Sequence, residues 1–155
     1  MTSRIEVAYH RMNSDGNLTR CYRTIFTILG ATTIHLIDSK CQLRAKHLHS
    51  AKDSHTIERY SSEDEFWALQ GDKEHIIIEI NSSAQPIQGI KEYLKRMVWD
   101  RNPRKIIIHF GGENEHLPLQ KAPWNKYHRF KIETKNRLPF INDVVTGIVL
   151  HEITR

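Results

Sequence analysis

Three groups of residues in this chain could do chemistry. The first is the run Ile106-Ile107-Ile108-His109-Phe110-Gly111-Gly112-Glu113, where β-branched residues lead into two glycines and then an acid. Such a run reads as a buried strand, and the paired glycines let the backbone turn sharply and offer its own amides to a small polar ligand at the strand's carboxyl end. The second group is basic. Arg44, Lys46, His47, His49 and Lys52 crowd the polar stretch after Asp38, and Lys91, Lys95, Arg96, Arg101, Arg104 and Lys105 crowd a later one. With a net charge of +5 and a pI near 9.3, the chain would attract polyanions. Arg44, Lys46, Lys91, Lys95, Lys126 and Arg129 are the candidate phosphate contacts, although solvated surface is the commoner role of such residues. The third group is histidine and cysteine. Cys21 and Cys41 form no metal spacing and read as free thiols, and His47 and His49, two apart, do not make a ligand set, so no metal is expected.

The elements that must position these residues follow from periodicity. Ile5 to Tyr9 reads as a first strand and Asn13 to Asn17 as a loop. Tyr22, Ile25, Phe26 and Leu29 recur at helical steps, with Asn17 or Thr19 as the expected cap and Gly30 as the expected stop. Thr32 to Ile37 is a second strand, so the chain opens with strand, helix, strand, the unit of a parallel sheet. Ser62 with Glu65 is a capping-box pattern that starts a short helix through Phe66, Trp67 and Leu69. His75 to Ile80 is a strand that ends in the small turn Asn81-Ser82-Ser83. Pro86 opens a helix whose stripe is Ile87, Ile90, Leu94 and Val98, running to about Trp99. Tyr127 to Ile132 is the last strand, and Asn142 to Ile153 closes the chain as a helix, its β-branched content leaving a strand open.

A chain of 155 residues with 39% apolar content suits one domain over residues 1–155 with one core. No apolar run approaches the roughly 20 residues of a bilayer span, and Met1 to Glu6 lacks the apolar core of a signal peptide, so no membrane partner and a cytoplasmic location are expected.

Three segments together carry more than α/β alternation. Asn17 is followed six residues later by Arg23-Thr24 and seven beyond Arg23 by Gly30; Gly111-Gly112-Glu113-Asn114-Glu115-His116-Leu117-Pro118 follows a strand; Ile132 ends another strand ten residues before Asn142, which opens a helix of small and branched residues reaching Glu152. In this order and at these separations they resemble the three signature motifs of the SpoU (TrmH-type) group of SPOUT RNA ribose 2′-O-methyltransferases. The resemblance runs almost end to end. Thr19, His116, Glu133 and Phe140 stand where that family has Gly, Gly, Pro and Ser.

The resemblance implies a Rossmann-like parallel sheet in an α/β domain whose C-terminal segment threads a deep trefoil knot, one of the rare exceptions to unknotted chains. It implies S-adenosylmethionine as cofactor, held by the strand end Glu79-Ile80-Asn81, by Phe110, Gly111, Gly112 and Glu113, and by Ile132 with Leu138, Phe140 and Ile141. Arg23 would hold a phosphate and stabilise a developing alkoxide, with Asn17, Glu113 and Asn142 organising the loops around it. By itself Asn17 reads equally as a helix cap, and Asn142 as the cap of the last helix. The implied partners are RNA, tRNA more than rRNA because the chain resembles the short wobble-position members, and a second copy of the chain in a homodimer. The competing reading is a binding protein that keeps the knotted fold, and RNA or cofactor affinity, without catalysis.

Overall fold

The structure is a computed structural model and describes residues 5–43, 55–96, 105–111, 127–135 and 142–155. Among them the chain runs β1 (Ile5–His10), α1 (Asp15–Leu29), β2 (Thr33–Ile37), β3 (Thr56–Tyr60), α2 (Glu63–Gln70), β4 (Glu74–Ile80), β5 (Gln85–Pro86), a 3-10 turn (Ile87–Gly89), α3 (Ile90–Leu94), β6 (Ile106–Phe110), β7 (Tyr127–Ile132) and α4 (Asn142–Thr154). The described strands form one sheet in the order β3-β2-β1-β6-β4-β7-β5, and every pairing is parallel.

The strands β1, β2, β4 and β6 are buried on both faces, so the alternation along them separates two interiors rather than inside from outside. Val7, Tyr9, Ile34, Leu36, Ile76, Ile78, Ile106, Ile108, Phe110 and Phe130 join Leu18, Tyr22 and Ile25 of α1, Ile90 and Leu94 of α3, and Val149, Leu150 and Ile153 of α4 in the larger core. The opposite parity faces α2, where Ala8, Ile37 and Ile107 meet Phe66 and Trp67. That second face is strongly polar for an interior: Glu6, His10, His35, His75 and His109 are all buried on it.

Local chemistry explains the element ends. Ser14, in extended conformation, caps α1 with its hydroxyl accepting from the Asn17 amide, so the expected caps Asn17 and Thr19 lie inside the helix. Gly30 does end α1. Its φ of 79° and its N–H bond to the Phe26 carbonyl at 2.9 Å need the left-handed conformation that glycine adopts without strain. Ser62 caps α2 by accepting from the Glu65 amide, whereas the Glu65 carboxylate takes the Ser61 amide and hydroxyl in place of the Ser62 amide. The capping box is therefore displaced by one residue on its return arm.

Two expectations are refined. First, Pro86 does stand at the start of a helical stretch, with Ile87, Ile90 and Leu94 as its buried stripe, but Gln85–Pro86 also forms a short edge strand on β7, where a missing N–H costs no ladder bond. A 3-10 turn and the five-residue α3 follow it, and Val98 and Trp99 lie outside the described residues. Second, Thr56–Tyr60 is a strand that periodicity missed. It lies at the sheet edge against β2, mostly exposed, and so carries little apolar pattern. The closing segment is a helix, which removes the strand alternative.

Candidate active site

The strand order reverses between β1 and β6. The chain leaves β1 for β2 and β3 on one side, and leaves β6 for β7 on the other. In open parallel sheets such a switch point leaves a crevice at the carboxyl ends of the strands, where ligands bind. Asn17 lies in the first turn of α1, the helix that follows β1, and Gly111 directly follows β6.

Asn142, the first residue of α4, joins them. Its Nδ2 donates to the Gly111 carbonyl at 2.8 Å, and its Oδ1 accepts from Asn17 Nδ2 at 3.2 Å. Because a carbonyl can only accept, Asn142 must turn its nitrogen to Gly111 and its oxygen to Asn17, which fixes both amide orientations. Asn17 Oδ1 in turn accepts from Cys21 Sγ at 3.8 Å. Both asparagines are buried, at 4% exposure, and such polar chains hold their geometry because any broken link strands a desolvated group. Neighbouring contacts brace the same junction. Tyr9 bonds the Thr146 hydroxyl at 2.6 Å and stacks on Phe110 with ring centroids 5.5 Å apart. Arg20 Nε lies 3.8 Å from an Asp143 carboxylate oxygen across α1 and α4. Thr19, where a glycine was expected, fits within the helix. Its side chain is buried, and its hydroxyl donates to the Asp15 carbonyl at 2.9 Å.

Arg23 lies on the exposed side of α1, opposite in character to the buried Asn17. The remaining candidate wall is the row of strand ends beside β6. Asn81 adopts a left-handed φ of 50°, and its N–H donates to the Ile132 carbonyl at 3.0 Å. Its side-chain amide bonds Thr134 twice, donating to the hydroxyl and accepting from the amide, both at 2.8 Å. Ile80 and Ile132 are register partners, so the ends of β4 and β7 are locked together beside Phe110 and Gly111. Glu79 is held by Arg129 through a two-pronged pair, Nη2 to Oε1 at 2.8 Å and Nε to Oε2. Glu133 pairs with Lys131 at 2.6 Å. Gly112, Glu113, Leu138, Phe140 and Ile141 lie outside the described residues, as do His116, Arg44, Lys46, His47, His49 and Lys126. Of the remaining basic candidates, Lys91 donates to the Arg155 carbonyl and Lys95 is exposed. No group of His, Cys, Asp and Glu among the described residues could hold a metal ion.

No family model matches the sequence, and no curated protein matches it. Solved structures do match. A TrmH/SpoU tRNA modifying enzyme of A. aeolicus is similar over 99% of this chain and 75% of that one, with a TM-score of 0.68 at 11% identity. The structure solved for the 2-OH methylation of C/U34 on tRNA is similar over 96% and 88%, with a TM-score of 0.66 at 13% identity. The chain has the fold of the TrmH/SpoU-type RNA methyltransferases. An AdoMet-bound rRNA methyltransferase from Sinorhizobium meliloti shares this TrmH/SpoU fold, with a TM-score of 0.67 at 18% identity over 96% of this chain and 55% of that one.

Sequence reasoning missed the buried histidines on the α2 face. His10 Nε2 meets His109 Nδ1 at 2.8 Å, His109 Nε2 meets His75 Nδ1 at 2.8 Å, and His75 Nε2 meets the Gln70 carbonyl at 2.9 Å. Trp67 stacks on His109 at 5.4 Å, and Phe66 meets it edge-on at 5.3 Å. Burial pulls the basicity of all three down, to about 3 for His10 and about 4 for His75, and well below the ordinary value for His109. Beside them His35 bridges Glu6 and Tyr60 at 2.8 Å each. Burial raises the Glu6 carboxyl, but bonds from His35 and Lys105 outweigh it and bring the group to about 2. The available signal was histidine inside an isoleucine run, at the same strand parity in β4 and β6.

Proposed function

We propose that this protein is an S-adenosylmethionine-dependent RNA ribose 2′-O-methyltransferase acting on tRNA. In this reading it is a cytoplasmic homodimer of single-domain subunits whose C-terminal segment threads a deep trefoil knot. The observation that carries the proposal is the hydrogen-bonded chain from Asn17 through Asn142 to Gly111. It ties together one residue from each of the three sequence motifs at the switch point of a sheet with the TrmH/SpoU fold.

The residues present suit the cofactor. The ends of β4, β6 and β7 lie side by side, and Asn81, Gly111 and Ile132 would offer it backbone groups, as an adenine requires. Bound there, S-adenosylmethionine supplies an electrophilic methyl on a sulfonium. What the chain contributes is alignment and charge. Arg23, always cationic and able to bond bidentately, would hold the phosphate next to the target ribose and stabilise the alkoxide as the hydroxyl loses its proton. Asn17, Asn142 and Glu113 would be positioning residues that fix the loops around it. Alignment alone can contribute roughly 7 to 11 kcal/mol to such an in-line displacement. The net charge of +5 favours an RNA substrate. Exposed Val144 and Ile148, one turn apart on α4, give an apolar patch that a second copy would cover.

Calorimetry with S-adenosylmethionine followed by methyl transfer to total tRNA tests this. Binding with transfer that Arg23→Ala abolishes, cofactor affinity being retained, is the expected result. Cofactor binding without transfer to any RNA would refute the enzyme reading in favour of a binding protein, and a monomer in sedimentation would refute the dimer.

A further inference from the structure

The histidine chain has a direction. The Gln70 carbonyl can only accept, so His75 carries its proton on Nε2 and offers Nδ1 as an acceptor. His109 must then donate from Nε2 and accept at Nδ1, and His10 must donate from Nε2. The relay therefore locks His10 in one tautomer, with a lone pair on Nδ1, and among the described residues that atom has no hydrogen-bond partner.

His10 is buried, at 2% exposure, and it lines a cleft of about 170 Å³ with Arg11, Asp38, Ser62, Glu63 and Asp64 among its walls. The cleft's lining comes from the ends of β1 and β2 and the start of α2, and it shares no residue with the Asn17 and Asn142 junction. Its floor is pinned. Arg11 and Asp38 both take left-handed conformations, φ 55° and 49°, and their N–H groups donate to the Ile37 and Tyr60 carbonyls at 2.8 and 2.9 Å. Asp38, Glu63 and Asp64 line the cleft beside the single guanidinium of Arg11, so its lining holds more acid than base and disfavours phosphate. The positive end of α2 is already met by Glu63, Asp64 and Glu65 in its first turn. The volume exceeds a bare ion, and the described His, Cys, Asp and Glu are not arranged to hold a metal.

We propose that this cleft is a second binding site, separate from the candidate active site, for a small organic cation with N–H donors, an alkylammonium or a guanidinium. One N–H donates to His10 Nδ1 while the charge is met by Asp38 and its acidic neighbours. The source of that group is a free amine or a lysine or arginine side chain of a partner.

Protein labelled with ¹⁵N-histidine is titrated with ethylammonium and methylguanidinium chlorides, and separately with tetramethylammonium chloride, which has the same charge and no N–H. The expected result is a saturable shift of the His10 Nδ1 resonance with the first two and none with the third. Asp38→Asn, a residue that tolerates the left-handed conformation, weakens binding about tenfold through loss of one charge-assisted bond. Tighter binding of N-acetyl-arginine amide or N-acetyl-lysine amide than of the small cations supports a partner side chain, and the reverse supports a free amine. No saturable shift with any N–H cation, or an equal shift with tetramethylammonium, overturns the proposal. S-adenosylmethionine affinity measured on the same samples keeps this result separate from the methyltransferase reading.

Discussion

Asn142 reaches the Gly111 carbonyl at 2.8 Å across thirty-one residues of sequence, so the start of the last helix is fastened to the end of the central strand β6. The same side chain holds Asn17, and the three segments cannot shift independently while it is in place.

Asn142→Ala leaves the Asn17 amide and the Gly111 carbonyl without their shared partner and is expected to cost about 1 to 3 kcal/mol. Asn142→Asp keeps an acceptor for Asn17 but sets a carboxylate against the Gly111 carbonyl, so it should be at least as destabilising as alanine. Urea denaturation of the two variants checks the order. An aspartate variant more stable than the alanine one would mean that the Gly111 contact is not the stronger link.

Acid should destabilise this protein in two stages that begin at different pH. His10 and His75 stay neutral in the folded state down to about 3 and about 4 because burial disfavours their charged forms, whereas in the unfolded chain they take up protons near 6.5. The unfolded state therefore binds more protons as pH falls through 6.5, and stability falls with it until the folded values are reached. At pH 5 the loss is about 2 kcal/mol for each of the two imidazoles. Glu6 is charged in the folded state down to about 2, so its contribution is present above the ordinary carboxylate value and is lost only below it. Denaturation midpoints at pH 7.5 and pH 5 isolate the histidine window, and equal midpoints would exclude a neutral buried relay.

The parts of this molecule legible in sequence were those whose pattern is local. Ile106 to Phe110 and His75 to Ile80 announce buried strands, and Gly30 announces a helix end. The three motif segments were legible because their separations match a known arrangement. The link among them was not, since Asn17 and Asn142 are 125 positions apart and each reads alone as a helix cap. The relay was hidden for the same reason. His10, His109 and His75 sit on strands that become neighbours only through the β1-β6-β4 order, an order that depends on the late return of β6 between two earlier strands. Thr56–Tyr60 escaped because an exposed edge strand needs no apolar alternation.

His109 accepts from one histidine and donates to another, so the side chain that replaces it matters more than its hydrophobicity. His109→Leu is apolar and close in size, yet it orphans two buried imidazole nitrogens and should cost about 2 to 5 kcal/mol. His109→Gln retains one acceptor and two donors and should cost clearly less. If leucine proves the milder change, the relay contributes no more than shape to this face of the sheet.

Arg23 provides the last test, because its stability and activity effects should separate. It is exposed on α1, so Arg23→Ala and Arg23→Lys should both fold with stability within about 0.5 kcal/mol of the parent. If the methyltransferase reading holds, lysine keeps the charge but loses the planar fork that grips a phosphate and a developing alkoxide together, and transfer to tRNA should fall about a hundredfold. S-adenosylmethionine affinity should be unchanged, since the proposed cofactor wall consists of strand ends to which Arg23 does not belong. Full activity in the lysine variant would reduce Arg23 to a general positive charge and move the search for the alkoxide partner elsewhere along the crevice between β1 and β6.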